Sequence, residues 1–408
     1  MPISNKRSVL MKLKDKIASL MPELNLSAYF KKKNRKKEFG INLFGFFNTE
    51  NGVGQTAKQI AKVIKHSKIP HTLIDLDDAC PKKEDAPYPI NLIYTNADHL
   101  IRIFPDYKKI FRNKYNVGYW AWELPEFPDY WKKAFNYLDE IWCGSDFCFS
   151  TLSLKTDKPV VKITPFVYES TRSSGAFNGK MFGMKDNLYT FLFIYDPYSY
   201  TERKNPVAIL KAYRLAFKNN EKVQLVIKSA KMKNIVEDPV KEYISKHKLK
   251  NVILIEDYLN RPEILGLIRT CDCYISLHRS EGLGLTIMEA MAFGKPVIAT
   301  AYSGNLDFTN WNNCFLVKYK LIKIKKDIPN VHGPQYESHY KKGGIWADTS
   351  VKDAALKMRY VYLNKEKARE IGSRGERFIK DNYNIGKASG ILSSRLDIIK
   401  KRRRQPWK

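Results

Sequence analysis

The 408-residue sequence lacks any run of roughly 20 apolar residues, the length that a membrane-spanning helix needs. Its N-terminal residues also lack the apolar core of a secretory signal, which predicts a cytoplasmic protein. The six cysteines show no paired C-x-x-C spacing, and the seven histidines form no H-E-x-x-H cluster. We therefore expect reduced thiols in the core and no bound metal.

Acidic residues are scarce as well, since 42 Asp and Glu stand against 71 Lys and Arg, for a net charge of +29. This excess attracts polyanions, namely nucleic acid, acidic lipid or phosphorylated small molecules. Because aromatic RNA-binding signatures, zinc fingers and basic heptads are absent, we expect no nucleic-acid partner. A basic nucleic-acid-binding protein is the alternative from a different functional class.

Much of the positive charge lies in two runs, at residues 31–37 and 400–404. We predict that residues 1–38 form a basic amphipathic extension and that the basic tails dock peripherally to the anionic inner face of the cell membrane. The apolar face predicted within residues 8–21 suits either a membrane interface or packing on the protein's own body. Solvated tails are the alternative for both runs.

From residue 41 onward, short runs rich in β-branched and aromatic residues alternate with helical periods, the pattern of α/β domains with parallel sheets. A break of small and polar residues divides the pattern, which predicts two Rossmann-like, doubly wound domains facing a deep cleft. The predicted units are the first domain at 39–170, a linker at 171–187, the second domain at 188–385, and a C-terminal helix with a basic tail at 386–408. The predicted strands are 41–47, 71–77, 90–96, 115–122 and 139–145 in the first domain, and 188–196, 223–229, 251–258, 271–277 and 296–300 in the second.

Ligands of such sheets bind at the carboxyl ends of the strands, where the segment HRSEGLGLTIMEAMAFG (278–294) lies. Its two glycines let the main chain approach a ligand closely, and the free amides of the following helix suit a diphosphate. Glu281 precedes the glycines and Glu289 lies in the first turns of the helix. Both carboxylates can accept hydrogen bonds from sugar hydroxyls at opposite ends of a nucleotide sugar.

Two structural alternatives stay open for these carboxylates. Thr286 and Glu289 match the Thr-x-x-Glu capping box, in which the carboxylate only satisfies a backbone amide. Glu281 has His278 and Arg279 beside it as partners for a local ion pair.

The segment from His278 through GKPVIATAYSGNLDF resembles the signature of the retaining glycosyltransferases of the GT-B fold, specifically the family four group, in which seven residues separate two glutamates. The resemblance extends over about residues 40–385. It implies that Glu281 contacts the donor sugar and Glu289 the ribose hydroxyls. It also implies that the backbone of Gly282, Leu283 and Gly284 contacts the sugar or phosphate.

The run YDPYSYTERKNP places Arg203 and Lys204 at a strand end, where cations would neutralise a diphosphate. Lys204 matches the basic diphosphate site of the family. The second cation of that site usually lies a few residues earlier, where this sequence has Tyr198 and Ser199. Arg203 or Lys228 is the candidate replacement, and an exposed pair of cations at a helix start is the structural alternative.

Two other strand ends resemble family positions. Gly54, in the loop NTENGVG, resembles a backbone contact to the donor phosphates. Asn305, in the turn after PVIATAY, is a candidate contact to the donor sugar, with an ordinary turn as the alternative.

The stretch at 116–147 holds four of the seven tryptophans, and aromatic faces stack on sugar rings. The Trp-Glu-Leu-Pro run resembles bacterial members of the same family. Trp122 and Glu123, at the exit of a strand toward the cleft, are therefore the candidate acceptor-binding residues, and core packing is the alternative for the tryptophans.

Together these features predict a glycosyltransferase that moves a sugar from a nucleoside diphosphate sugar to a saccharide or lipid-linked acceptor in bacterial surface polysaccharide synthesis, with Glu281 and Lys204 as catalytic residues. Retention at the anomeric carbon and independence of metals and other cofactors follow from the resemblance. A GT-B nucleotide-sugar epimerase is the alternative within the fold.

Overall fold

The computed structural model describes residues 39–49, 52–78, 80–168, 177–230, 238–330 and 337–402. The predicted N-terminal extension (1–38), the first part of the predicted linker, and the last six residues of the basic tail lie outside the described residues.

The first domain is built on a sheet of six parallel strands in the order β2-β1-β3-β4-β5-β6. Its central strands are buried along their whole length, as expected for a sheet covered by helices on both faces. The strands are β1 Ile41–Gly45, β2 His71–Asp75, β3 Ile90–Ile93, β4 Tyr115–Trp120, β5 Glu140–Cys143 and β6 Val160–Lys162. The helices are α1 Gly52–His66, α2 Ala97–Phe111 and α3 Asp146–Ser153, with 3-10 helices at Lys83–Asp85 and Asp129–Tyr137.

The second domain repeats this plan with six parallel strands in the order β12-β11-β10-β7-β8-β9. These strands are β7 Tyr189–Ile194, β8 Val223–Lys228, β9 Val252–Ile255, β10 Cys273–Ser276, β11 Val297–Thr300 and β12 Phe315–Val317. Its helices are α4 Thr201–Lys204, α5 Pro206–Ala216, α6 Pro239–Lys246, α7 Arg261–Thr270 and α8 Leu285–Ala292, with 3-10 helices at Gly179–Phe182, Pro197–Ser199 and Gly304–Asp307.

Three helices close the described chain: α9 Val351–Leu363, α10 Lys365–Asn382 and α11 Ile385–Arg402. Helices α9 and α10 pack on the second domain, whereas the apolar face of α11 joins the core of the first domain around α1. Arg395 of α11 pairs with the fully buried Glu140 of β5, with 2.7 Å between Nε and Oε1. The chain thus crosses back to the first domain.

An antiparallel hairpin, β13 Tyr319–Lys323 and β14 Ile345–Thr349, extends from the second domain. Trp346 of β14 belongs to the hydrophobic core of the first domain. So do three residues of the segment that connects the two strands: Ile324, Ile328 and Tyr340. The hairpin and the segment that it encloses therefore bridge the two domains.

The predicted fold class, two doubly wound Rossmann-like domains, is confirmed. The short strands β6 and β12 and the hairpin were missed, because three-residue strands and an insertion without periodicity leave no clear pattern. The segment after β14 breaks at Asn364 and again after Asn382, so that it forms three helices, of which the last corresponds to the predicted C-terminal helix. All six cysteines are free, but Cys80 is exposed rather than in the core.

Candidate active site

The loop between β10 and α8 (residues 277–284), here called the glycine loop, brings the predicted donor residues to the carboxyl edge of the second sheet. Gly284 caps α8 at φ +94°, a left-handed conformation that favours glycine. A Cβ atom at Gly304 would lie 2.2 Å from the carbonyl oxygen of Gly282, so this close approach of two backbones also requires glycine. The main-chain N–H of Gly304 donates to the carbonyl of Glu281 at 2.9 Å. The turn after β11 thus packs directly against the glycine loop and hydrogen-bonds to it.

Glu281 is paired with the two cations of the short helix α4. Its Oε1 contacts the Lys204 ammonium, and its Oε2 lies 3.1 Å from Nη1 of Arg203. Burial raises the pKa of the Glu281 carboxyl, but the Lys204 and Arg203 charges outweigh burial and lower that pKa to about 2. Burial and the Arg203 charge lower the pKa of Lys204, because this lysine shares one carboxylate with another cation. Glu281 is therefore a carboxylate at neutral pH.

Arg203 lies behind Glu281 and is 3% exposed, so it is not the exposed cation of the structural alternative. Its Nη1 donates to the carbonyl of Ser280 at 2.9 Å and its Nε to that of Ser199 at 3.2 Å. Its Nη2 lies 3.7 Å from the carboxylate of Glu123. These contacts direct Arg203 toward carbonyls and carboxylates of the protein.

Neither neighbour proposed for a local ion pair holds Glu281. Arg279 donates to the carbonyl of Glu202 at 2.7 Å and lies 3.7 Å from Asp348. His278 is fully buried, and its ring nitrogens contact the Ser276 hydroxyl at 3.0 Å and the Asn305 side-chain oxygen at 3.1 Å.

Glu289 lies at the other end of the loop and is fully buried in α8. Its Oε1 contacts Nη2 of Arg261, the first residue of α7. Its Oε2 is buried without a hydrogen-bond partner among the described residues. The capping-box interpretation is wrong, because the helix is capped by Gly284 without a side-chain hydrogen bond and Glu289 faces Arg261 instead. Buried carboxylate oxygens normally have a hydrogen-bond donor, so this oxygen is an exception that calls for an explanation.

The remaining predicted donor residues have other contacts. Lys228 ends β8 and donates to the carbonyl of Ser229 at 2.7 Å, and burial lowers its pKa. Both side-chain atoms of Asn305 are engaged inside the turn, the amide nitrogen with the Thr300 carbonyl at 2.9 Å. Gly54 lies in the first turn of α1, where a Cβ atom would lie 2.0 Å from the Thr49 carbonyl. The side-chain contacts of Asn305 are therefore structural, although its Cβ atom would lie 3.6 Å from a Cβ atom at Gly284 in the same loop as Glu281. The donor contacts of Gly54 and Asn305 stay predictions.

The predicted acceptor residues lie at the boundary with the hairpin. Trp122 is 2% exposed, and its ring stacks on Tyr340 with centroids 6.1 Å apart. Its indole N–H donates to the carbonyl of Glu126 at 2.8 Å. The Glu123 carboxylate accepts a hydrogen bond from the Tyr340 hydroxyl at 3.0 Å. Trp122 therefore packs in the core, whereas the Glu123 carboxylate lies near Arg203, beside Glu281 and Lys204.

The first domain also contacts the glycine loop directly. The Ser145 hydroxyl donates to the carbonyl of Gly282 at 2.5 Å, and the Ser280 hydroxyl donates to the carbonyl of Glu123. A methyl group at Gly144 would lie 3.8 Å from Leu283. The loop that carries Glu281 is therefore docked against both domains.

Sequence reasoning missed two residues of this site. Arg261 opens a helix directly after the loop that follows β9, so its place at the carboxyl edge of the sheet was a usable signal. Tyr340 gave no signal, because it lies in an insertion without periodicity.

Comparison with known proteins gives the class. Residues 191–323 match the family model described as glycosyl transferases group 1. The chain thus contains a group 1 glycosyltransferase domain within a GT-B fold, and it is a glycosyltransferase. None of the curated protein sequences matches the chain.

Solved structures share the whole two-domain fold. HepE from Anabaena, in complex with UDP and glucose, has a TM-score of 0.64 and 12% identity, covering 88% of this chain and 100% of its own. Sucrose-phosphate synthase from Thermosynechococcus elongatus has a TM-score of 0.65 and 10% identity, and the match covers 89% of this chain and 99% of the synthase. A glycosyltransferase from Rickettsia africae has a TM-score of 0.61 and 17% identity, and the match covers 89% of this chain and 99% of the Rickettsia protein. At these identities the likeness shows the fold.

Within the part of the chain that the structure describes, none of the helices combines the length and apolar character needed to cross a bilayer. The described residues also contain no group of three or more His, Cys, Asp or Glu placed to hold a metal ion.

Proposed function

We propose that the protein transfers a glycosyl group from a nucleoside diphosphate sugar to a saccharide or lipid-linked glycan, with retention of the anomeric configuration. The observation that carries this proposal is the pair of buried carboxylates on either side of the glycine loop. Glu281 has two cations beside it, and Glu289 has one buried oxygen that lacks a partner in the part of the chain that the structure describes. HepE, which shares the fold, binds UDP-glucose, and this supports a donor of the same chemical class.

The chemistry follows from charge. Departure of a nucleoside diphosphate builds negative charge on its phosphate oxygens, and groups that meet this charge accelerate the reaction. Lys204 and the amides at the start of α8, together with the positive end of that helix's dipole, are the groups that supply this stabilisation. Glu281 accepts a hydrogen bond from a hydroxyl of the donor sugar, and Glu289 accepts from the ribose.

The donor class is tested by a thermal-shift screen against UDP-, GDP-, ADP- and dTDP-sugars, because a bound ligand stabilises the fold in proportion to occupancy. A selective shift by one nucleotide, with release of its diphosphate in the presence of a glycan acceptor, is expected. The anomeric configuration of the product, read by NMR, tests retention. Interconversion of the free nucleotide sugar without an acceptor would instead indicate an epimerase.

We also propose that the reaction needs no metal ion, because Lys204 and the helix amides take that role. Full activity in excess chelator is the expected result. Loss of activity that returns with a divalent cation would contradict this.

We further propose that the basic runs at residues 31–37 and 400–404 bind the enzyme to the anionic surface of the membrane, where lipid-linked acceptors of surface polysaccharide synthesis lie. The last turn of α11 carries Lys400, Lys401 and Arg402. Deletion of residues 1–37 should release the protein from phosphatidylglycerol-containing vesicles without abolishing donor hydrolysis. Unchanged vesicle binding would refute this role for the extension.

A further inference from the structure

We propose that Glu123 is a positioning residue of the donor site, supplied by the first domain, and that Tyr340 of the hairpin holds it there. The inference rests on the proposed function. It replaces the predicted acceptor contact of Glu123 with a role on the donor side of the cleft.

Glu123 is fixed by contacts from the second domain. Its Oε2 accepts from the Tyr340 hydroxyl at 3.0 Å, and its Oε1 lies 3.7 Å from Nη2 of Arg203. Its main-chain carbonyl accepts a hydrogen bond from the hydroxyl of Ser280, the residue before Glu281. Both ends of the residue are therefore directed at the elements that carry Glu281.

Tyr340 is itself packed among aromatic rings. It is 2% exposed, stacks on Trp122, and meets the ring of Tyr200 edge-on with centroids 4.7 Å apart. Tyr200 has φ +68° and immediately precedes α4, the helix of Arg203 and Lys204. The same aromatic contacts thus fix the tyrosine that holds Glu123 and the start of the cationic helix.

Charge explains why Glu123 is needed. Arg203 and Lys204 face two carboxylates, Glu281 and Glu123, so that the four charges cancel. Arg203 is 3% exposed and has little water to solvate its charge. Without Glu123, Arg203 would be neutralised by Glu281 alone and would compete with Lys204 for that carboxylate. Glu281 would then be drawn toward Arg203 and away from its place beside the donor sugar.

The cluster of Glu123, Arg203, Lys204 and Glu281 draws its charges from both domains. Glu123 follows β4 of the first domain, whereas its partners belong to the second. Separation of the domains would remove one carboxylate from Arg203 and change the charge around Glu281. The first domain therefore contributes charge to the donor site.

The test compares two tyrosines that join the same hairpin segment to the first domain. Tyr340→Phe removes the hydroxyl that holds the Glu123 carboxylate. Tyr130→Phe removes a hydroxyl that donates to the carbonyl of Ser338 at 3.0 Å and serves as the matched control. Glu123→Gln is the direct variant. The substrate is whichever nucleotide sugar of the four-base panel stabilises the wild-type chain most, assayed for hydrolysis without an acceptor.

Glu123→Gln should slow acceptor-free hydrolysis by about 10- to 100-fold, because the amide lacks the negative charge that offsets Arg203. Tyr340→Phe should slow it about tenfold, and Tyr130→Phe less than about twofold. Calorimetry should show weaker binding of the nucleotide sugar in the first two variants and unchanged binding of the free nucleoside diphosphate. This difference separates an effect on the sugar contact from general loosening of the hairpin.

Hydrolysis at the wild-type rate in Glu123→Gln, or equal losses in the two tyrosine variants, would overturn the inference. So would a defect confined to reactions with an acceptor. If the wild-type chain binds none of the nucleotide sugars, the proposed function fails and the inference fails with it. If the wild-type chain binds and hydrolyses one while the variants match it, only the inference fails.

Discussion

The two ends of the glycine loop hold buried carboxylates in different ways. At one end, Glu281 faces Lys204 and Arg203, and the first domain adds Glu123 to the cluster. At the other end, Glu289 pairs with Arg261, its one cationic partner among the described residues, and both residues come from the second domain. The end proposed to bind the sugar, here called the sugar end, is therefore assembled by both domains. The end proposed to bind the nucleoside, here called the nucleoside end, is built from one.

The largest effect is expected at the nucleoside end. Arg261→Met leaves a fully buried carboxylate without its cation, and loss of one partner of a buried pair costs about 3 to 5 kcal/mol of unfolding free energy. Adding Glu289→Gln to this variant should recover most of the loss, since a neutral amide needs no counter-charge. Chemical denaturation of the single and double variants measures the coupling. Arg269→Met, at an exposed position of the same helix, is the control, and an equal loss there would contradict the pairing.

At the sugar end, Lys204→Met should slow glycosyl transfer about 100- to 1000-fold, the usual effect of removing a group that stabilises developing charge. Stability should change less than in Arg261→Met, because Arg203 still neutralises Glu281. Steady-state kinetics with the preferred nucleotide sugar gives the rate. Lys241→Met, a half-exposed lysine of the same domain, should keep full activity. Retention of activity in Lys204→Met would remove this lysine from the catalytic role.

The Glu281 carboxylate makes stability pH-dependent. Because the pKa of Glu281 is lowered from 4.5 to about 2, its stabilising contribution is present above pH 4.5 and is lost as pH falls toward 2. This contribution is about 3 kcal/mol. Glu281→Gln should lack this part of the acid dependence when unfolding is followed by denaturant between pH 5 and pH 3. The exposed Glu366→Gln should retain it, and an unchanged profile in Glu281→Gln would contradict the lowered pKa.

The smallest effect is expected for Glu289→Gln, which should weaken donor binding by roughly 1 to 3 kcal/mol. Since the ribose is common to both ligands, the nucleotide sugar and the free nucleoside diphosphate should lose affinity equally in calorimetry. Glu281→Gln, in contrast, should weaken only the nucleotide sugar. Glu263→Gln, which alters the capping box of α7, is the control. Unchanged affinity in Glu289→Gln would leave this residue a purely structural role.

The meeting of Glu281 with Lys204 could be predicted from the sequence, because both follow strands of one parallel sheet and so lie at one edge of it. The pairing of Glu289 with Arg261 was not predicted, since local spacing favoured a capping box and only the backbone shows that Gly284 is the cap. Asn305 was placed at the right edge of the sheet, but the direction of its side chain depends on His278 and Thr300 beneath it. The contact between Glu123 and Tyr340 joins residues 217 positions apart, so local sequence patterns could not predict it.

By itself, the sequence determined the repeated strand and helix pattern, the two parallel sheets and the edge at which the polar residues gather, because each depends on local periodicity and on the rule that parallel strands end together. Only the tertiary structure decided which charge neutralises which, where the hairpin packs, and that α11 returns to the first domain. These outcomes depend on burial and on distances between remote segments, which no local pattern encodes.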